Sequence, residues 1–112
     1  MTDLSQKTCE PCQGGIAALN GAQCATLLEG LHEDWVLDSD NSSLTREFTF
    51  KGFAKAVYTA NLAAWLADSE GHHPDVAFGW GYCRIVFTTH DIGGLSENDF
   101  ICAAKLDRMI AG

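Results

Sequence analysis

The chain has 112 residues, which fits one domain that can bury a core without metal ions or disulfides. Fifteen acidic against seven basic residues give a net charge of −8, which argues against direct binding to nucleic acid or to anionic membranes, since both need clustered Lys and Arg. No apolar run approaches the ~20 residues of a membrane span, and the first seven residues lack the pattern of a signal peptide. These properties predict a cytoplasmic protein whose five cysteines are reduced.

The N-terminal residues are polar and contain glycine. They predict a poorly ordered tail over residues 1–20, followed by one domain over residues 21–112. The tail carries Cys9 and Cys12, a CxxC pair that could bind zinc or act in redox chemistry, although a structural zinc site needs a second pair. The alternative is an inert tail. The other cysteines fall in apolar patterns and are predicted to be core residues: Cys24, Cys83 and Cys102.

Seven elements follow, as judged from apolar spacing, turn residues and a capping box that opens the last helix. In chain order they are a helix at 21–31, strands at 35–37 and 44–50, a helix at 53–69, strands at 76–80 and 83–89, and a helix at 96–110. Strands that are joined in pairs by short turns favour antiparallel pairing. The order α-β-β-α-β-β-α therefore predicts an α+β fold, with a four-stranded antiparallel sheet covered on one face by helices.

The long helix at 53–69 carries apolar residues on two sides. The two stripes are Phe53, Val57, Ala60 and Ala64, and Tyr58, Leu62, Trp65 and Leu66. A helix that is apolar on two sides is expected to be buried on both, so one stripe covers the sheet and the other meets a second helix or a second subunit. A four-stranded sheet also has two open edges that can pair with another subunit. The second apolar stripe and the open edges together predict a homo-oligomer.

Three of the four histidines lie in one window. His72 and His73 precede Pro74, and His90 follows seventeen residues after His73. Imidazoles exchange protons near neutral pH, and pairing of the two flanking strands would bring His73 and His90 to the same end of the sheet. One alternative is that these are loop histidines with no task. Another is a metal site completed by Cys83 or an acid, for which adjacent histidines are poorly suited because they point apart.

Four further side chains are candidates for supporting roles. Asp99 either caps the last helix or orients a histidine, and Asp68 is either a solvated acid at a helix end or a partner of His72. Trp35 and Trp80 are more simply core residues, although Trp35 could stack on a planar heterocycle.

The combined spacing resembles the signature of the pterin-4a-carbinolamine dehydratase family, also called the dimerisation-cofactor family. The predicted order of elements over residues 21–110 is also similar to the family fold. The residues that carry the resemblance are, in order, Asp68, His72, His73, Pro74, Trp80, His90 and Asp99.

The resemblance implies a hydro-lyase that removes water from 4a-hydroxytetrahydropterin to give quinonoid dihydropterin, a step in tetrahydrobiopterin recycling for aromatic amino acid hydroxylation. A hydroxyl leaves C4a while a proton leaves N5, so the reaction calls for a general acid and a general base but no metal or organic cofactor. The family implies His73 and His90 for these roles, in either order, and His72 for contact with the pterin and its hydroxyl.

The resemblance also implies a pterin pocket and an assembly. Its lining would be His72, His73, Pro74, Thr89, His90, Asp91 and Ile92, with Asp99, Asp68 and Trp35 in support. Asp99 would orient His90 or His72, and the assembly would be a homodimer or a homotetramer. The alternative is a non-enzymatic module of the same fold, since relatives act as dimerisation partners of a homeodomain transcription factor or resemble assembly factors. The long helix and the last helix would then form the partner surface.

Overall fold

The computed structural model describes residues 3–10 and 17–111. In chain order the elements are a 3₁₀ turn at Leu4–Gln6, α1 (Gly21–Leu28), β1 (Val36–Leu37), β2 (Leu44–Thr49), α2 (Ala54–Glu70), β3 (Asp75–Gly79), β4 (Tyr82–Phe87), a 3₁₀ turn at His90–Ile92, and α3 (Glu97–Ala111). The predicted α+β class and the order of its main elements are confirmed. The largest difference in bounds is at α1, which ends three residues earlier than its apolar spacing indicates.

The four strands form one antiparallel sheet in the order β1-β2-β4-β3. The central strand β4 alternates as a half-buried strand should, with Cys83, Ile85 and Phe87 fully buried and Arg84 exposed. Because β3 and β4 are neighbours, the residue before β3 and the residues after β4 lie at the same end of the sheet. This end of the sheet is where the predicted histidine site falls.

One buried ion pair joins the sheet to α3. Arg46 of β2 lies 2.6 Å from Asp107 Oδ1 of α3, and the indole N–H of Trp35 donates to the same oxygen at 2.7 Å. The backbone N–H of His32 donates to the other oxygen at 2.9 Å. The burial of Arg46 among apolar residues is therefore explained by Asp107, which satisfies its charge.

The long helix α2 is buried on one side only within this chain, contrary to the two predicted stripes. Its inner face is a row of small residues with one leucine: Ala56, Ala60, Ala63, Leu66 and Ala67. Alanines allow the helix to approach the sheet closely, so the bulky side chains turn outward. Phe53, Tyr58 and Trp65 are 52%, 67% and 64% exposed.

Residues 3–10, part of the predicted tail, make specific contacts with the rest of the chain. Leu4 is buried, Lys7 pairs with Glu97 of α3 at 3.1 Å, and Cys9 Sγ lies 3.5 Å from Cys102 Sγ. The ion pair and the thiol contact both join this segment to α3. Cys12 lies outside the described residues, so the zinc or redox role of the CxxC pair stays a prediction.

The predictions for the remaining cysteines and for the tryptophans have different outcomes. Cys24, Cys83 and Cys102 are fully buried, as expected of core residues. Trp35 is buried, but Trp80 is 72% exposed, because it lies in the turn that joins the edge strand β3 to β4. In the part of the chain that the structure describes, no helix combines the length and apolar character that crossing a membrane requires.

Gly71 ends α2 and sets the direction of the two histidines that follow. It adopts a left-handed conformation (φ 69°, ψ 24°), and the backbone N–H of His72 donates to Ala67 O at 3.2 Å. Glycine is the residue that takes this conformation without strain. After the turn, His72 is buried and His73 is exposed.

Replacing Gly71 with alanine should lower the free energy of unfolding by about 1 kcal/mol, because a Cβ is disfavoured in left-handed backbone. No neighbouring atom lies within 4 Å of a Cβ built there, so conformation alone accounts for the cost. Gly71→Asn is the control and should cost less, since asparagine tolerates this region. Urea denaturation measures both, and an alanine variant as stable as the parent protein would contradict this account of the turn.

Candidate active site

A cavity of about 260 Å³ opens where the turn after α2 meets the loop after β4. The turn contributes Gly71, His72 and His73 to its lining, and the loop after β4 contributes Thr88, Thr89, His90 and Asp91. The structure thus brings together the three histidines of the window, which come from two segments that the β3–β4 pairing places side by side.

The buried histidine of the cavity is held by a buried carboxylate. His72 Nε2 lies 2.6 Å from Asp99 Oδ1, with His72 7% exposed and Asp99 fully buried. The imidazole is stacked on Phe87 of β4, with centroids 6.2 Å apart and the rings tilted by 10°. Hydrogen bonding on one edge and ring stacking on one face leave this imidazole with a single orientation.

Asp99 performs both of the roles that its position suggested. Its Oδ2 accepts the backbone N–H of Ser96 at 2.9 Å, which is a capping contact at the start of α3. The same oxygen accepts the hydroxyl of Thr89 at 2.7 Å, and the Thr89 and Ser96 hydroxyls are 2.8 Å apart. Of the two histidines that it was expected to orient, Asp99 contacts His72.

The second histidine has a different environment. His73 Nε2 lies 3.0 Å from Asp68 Oδ1, with side chains 63% and 85% exposed. Asp68 is therefore the partner of His73 and not of His72, which the sequence suggested, because the turn at Gly71 directs His72 into the core. Solvent screens this exposed pair, so it holds its imidazole less firmly than Asp99 holds His72.

The third histidine begins the one-turn 3₁₀ helix at His90–Ile92. This turn is closed by Gly93 in a left-handed conformation and by the backbone N–H of Thr89, which donates to Gly94 O at 2.9 Å. His90 is exposed at the cavity. His73 and His90 thus face water while His72 does not.

Besides Asp68 and Asp99, three of the predicted site residues lie outside the cavity lining: Pro74, Ile92 and Trp35. Pro74 and Ile92 are half-buried beside it. Trp35 is 3% exposed, and its indole N–H is bonded to Asp107, so it has no free face for stacking on a heterocycle. Its ring lies 6.0 Å from Phe87, so Trp35 supports the site from behind the ring on which His72 stacks.

Across residues 3–10 and 17–111, no group of three or more His, Cys, Asp or Glu side chains is arranged to hold a metal ion. In the cavity, each of two histidines is instead paired with its own aspartate. Such pairs suit hydrogen bonding and proton exchange with a bound molecule.

Comparison with known proteins identifies the family. The family model described as "Pterin 4 alpha carbinolamine dehydratase" matches residues 17–109. The chain belongs to the pterin-4a-carbinolamine dehydratase family. All seven residues that carry the resemblance to the family signature fall within the matched region.

Relatives in this family cover nearly the whole chain. A protein of Legionella pneumophila (strain Corby), named "Putative pterin-4-alpha-carbinolamine dehydratase", is 47% identical over 109 residues, which are 97% of this chain and 96% of that protein. A protein of the same name from Paracoccus denitrificans is 50% identical over 93 residues, covering 83% and 86%. The chain also resembles the crystal structure titled "transcriptional coactivator/pterin dehydratase" from Brucella melitensis, with a TM-score of 0.74, 28% identity, and 85% and 99% coverage.

Three residues of the site in this pterin-4a-carbinolamine dehydratase family member were not predicted from the sequence. Phe87 lies on the buried face of β4, and its stacking on His72 was not predicted. Ser96 was recognised only as a helix cap. Thr88 lines the cavity and donates its hydroxyl to Ser42 O at 2.6 Å, and its position beside Thr89 was the available signal.

Asp99→Asn should lower the free energy of unfolding by about 1–3 kcal/mol, because the side-chain amide brings an N–H₂ group into a site where three donors converge on a buried carboxylate. Glu97→Gln, two residues earlier in the same helix turn and exposed, is the matched control and should stay within about 0.5 kcal/mol. Thermal or urea unfolding measures both. Equal stability of the two variants would contradict the role given to Asp99.

Proposed function

We propose that this protein is a hydro-lyase that converts 4a-hydroxytetrahydropterin into quinonoid dihydropterin and water by histidine acid–base catalysis. The observation that carries the proposal is the convergence of His72, His73 and His90 on one cavity. The family membership and the names of the relatives support the reaction class. The domain that performs it would span residues 21–112.

The burial of the three imidazoles supports a division of labour among them. The C4a–O bond breaks as the hydroxyl takes a proton and leaves as water, and N5 loses its proton as the C4a–N5 double bond forms. His73 and His90 are exposed at the cavity and can exchange protons with water between turnovers, so we assign them as the acid–base pair. His72 is held by Asp99, and we assign it to contact the pterin and its hydroxyl.

The rest of the proposed pocket follows from the lining. The cavity volume of about 260 Å³ is near the lower end of ligand pockets, roughly 300–1,000 Å³, which suits a small fused ring. Thr89 and Asp91 line it, and Pro74 and Ile92 flank it, so their backbone groups are candidates for reading the amide edge of the pterin. No metal or organic cofactor has a step in this scheme.

His73→Ala and His90→Ala should each lower kcat for carbinolamine dehydration by about 100-fold or more, because each removes a proton-transfer group. Stopped-flow absorbance with a 4a-hydroxytetrahydropterin measures the rate. His32→Ala is the control, since the exposed His32 side chain pairs with Asp34 and is not part of the cavity lining. Full activity of both cavity variants would overturn the assignment.

The cellular role and location are part of the same proposal. We infer that the product returns to aromatic amino acid hydroxylation through tetrahydrobiopterin recycling, and that the protein works in the cytoplasm.

A non-enzymatic partner-binding role is the second candidate. The Brucella protein has "transcriptional coactivator" in its title, and the outer face of α2 exposes Tyr58 and Trp65. Exposed aromatic side chains of this size favour a protein partner or a second subunit. The edge strand β3 also exposes Val76 and Phe78, which supports assembly into a homodimer or a homotetramer.

The assembly is testable in solution. Sedimentation equilibrium should give a mass of two or four chains of 12.1 kDa, and Trp65→Glu should shift the distribution towards smaller species if the outer face of α2 is an interface. Glu47→Gln, an exposed change on β2, is the control. A parent protein that sediments as one chain at all concentrations would contradict the oligomer.

A further inference from the structure

The described part of the N-terminal segment is hydrogen-bonded to both α2 and α3. We call residues 7–10 the N-terminal strap. The backbone N–H of Cys9 donates to Glu70 Oε1 at 3.0 Å, and the backbone N–H of Glu10 donates to Asn98 Oδ1 at 3.0 Å. Asn98 Nδ2 donates in return to Glu10 O at 2.6 Å. One short stretch of backbone is thus bonded to both α2 and α3.

The two anchors adjoin the site. Glu70 is the last residue of α2 and stands two residues before His72. Asn98 lies in the first turn of α3 and directly precedes Asp99. The strap therefore bridges the same two helix ends that the His72–Asp99 hydrogen bond joins.

Both anchors are shielded from water, so these bonds are more than surface contacts. The Glu70 side chain is 12% exposed and also pairs with Lys105 at 3.7 Å, and Asn98 is 8% exposed. A thiol contact accompanies them, since Cys9 Sγ lies 3.5 Å from Cys102 Sγ. The hydrogen bond with Cys9 and burial raise the pKa of the Cys102 thiol, so Cys102 is protonated in this contact at neutral pH.

We propose that the N-terminal strap is a positioning element of the site, which holds Glu70 and Asn98 at the separation at which His72 meets Asp99. The effect on catalysis rests on the function proposed above, whereas the effect on His72 does not. The strap lies outside the region that the family model matches, residues 17–109. It is therefore a support that the family signature does not contain.

Full-length variants can remove each anchor of the strap separately. Glu70→Ala removes the acceptor for the Cys9 N–H, while Glu70→Gln keeps an acceptor oxygen, and both lose the ion pair with Lys105. Asn98→Ala removes both bonds to Glu10. The matched control is Lys7→Ala, because the Lys7–Glu97 pair is exposed to solvent and its loss leaves the shielded bonds of Cys9 and Glu10 in place.

Two readouts separate positioning from general stability. We expect Glu70→Ala and Asn98→Ala to lower kcat about 10-fold, because His72 is assigned to contact the leaving hydroxyl and a small displacement of a group that orients the reacting atoms costs rate. Proton NMR should show the imidazole N–H of His72 in its bond to Asp99 broadened or shifted in these variants. Glu70→Gln and Lys7→Ala should keep both the rate and the signal, and thermal melting identifies any variant that fails to fold.

An unchanged His72 signal in folded Glu70→Ala and folded Asn98→Ala would overturn the proposal. A loss of kcat in Lys7→Ala as large as that in Glu70→Ala and Asn98→Ala would also overturn the proposal. If the parent protein shows no dehydratase activity but the His72 signal is still perturbed in these variants, the positioning role is retained and the proposed function is rejected.

Discussion

The hydrogen bond between His72 and Asp99 is the interaction on which the rest of the site depends. Both partners are buried, and a buried carboxylate is tolerated only when donors satisfy it. Asp99 meets this condition with His72 on one oxygen and with Thr89 and Ser96 on the other. Because Ser96 stands at the start of α3, one carboxylate links the helix, the loop after β4 and the turn after α2. Displacing any of these three segments would leave a buried polar group without its partner.

Burial also separates the histidines by chemistry. His72 is inside, stacked on Phe87 and bonded to Asp99, so its orientation is determined by the core. His73 and His90 lie at the mouth of the same cavity, where water reaches them. A group that must exchange protons with solvent needs access to water, and a group that holds a substrate needs a defined position. The left-handed turn before His72 sets the different burial of His72 and His73, and the loop after β4 exposes His90.

The site is supported from two further directions. Behind it, Phe87 contacts Trp35, whose indole is bonded to Asp107, the residue that also pairs with Arg46. The imidazole orientation is thereby connected to the ion pair that joins the sheet to α3. On the other side, the N-terminal strap ties the ends of α2 and α3 together. The end of the sheet that carries the three histidines is thus held by the His72–Asp99 bond, by Phe87 and Trp35 behind it, and by the N-terminal strap.

The sequence by itself determined the order of elements, their approximate bounds, the α+β class and the segments that carry the histidines, because periodicity, turn residues and helix caps act within a few residues of the chain. Only the tertiary structure decided which partners meet. Asp99 and His72 are 27 residues apart, and spacing alone left His90 as an equal candidate for Asp99. Asp68, expected to be either a solvated acid or a partner of His72, is solvated and pairs with His73, and Trp80, expected in the core, lies in an exposed turn. Partner choice depends on how a turn directs side chains and how helices pack, and these are properties of the folded chain as a whole.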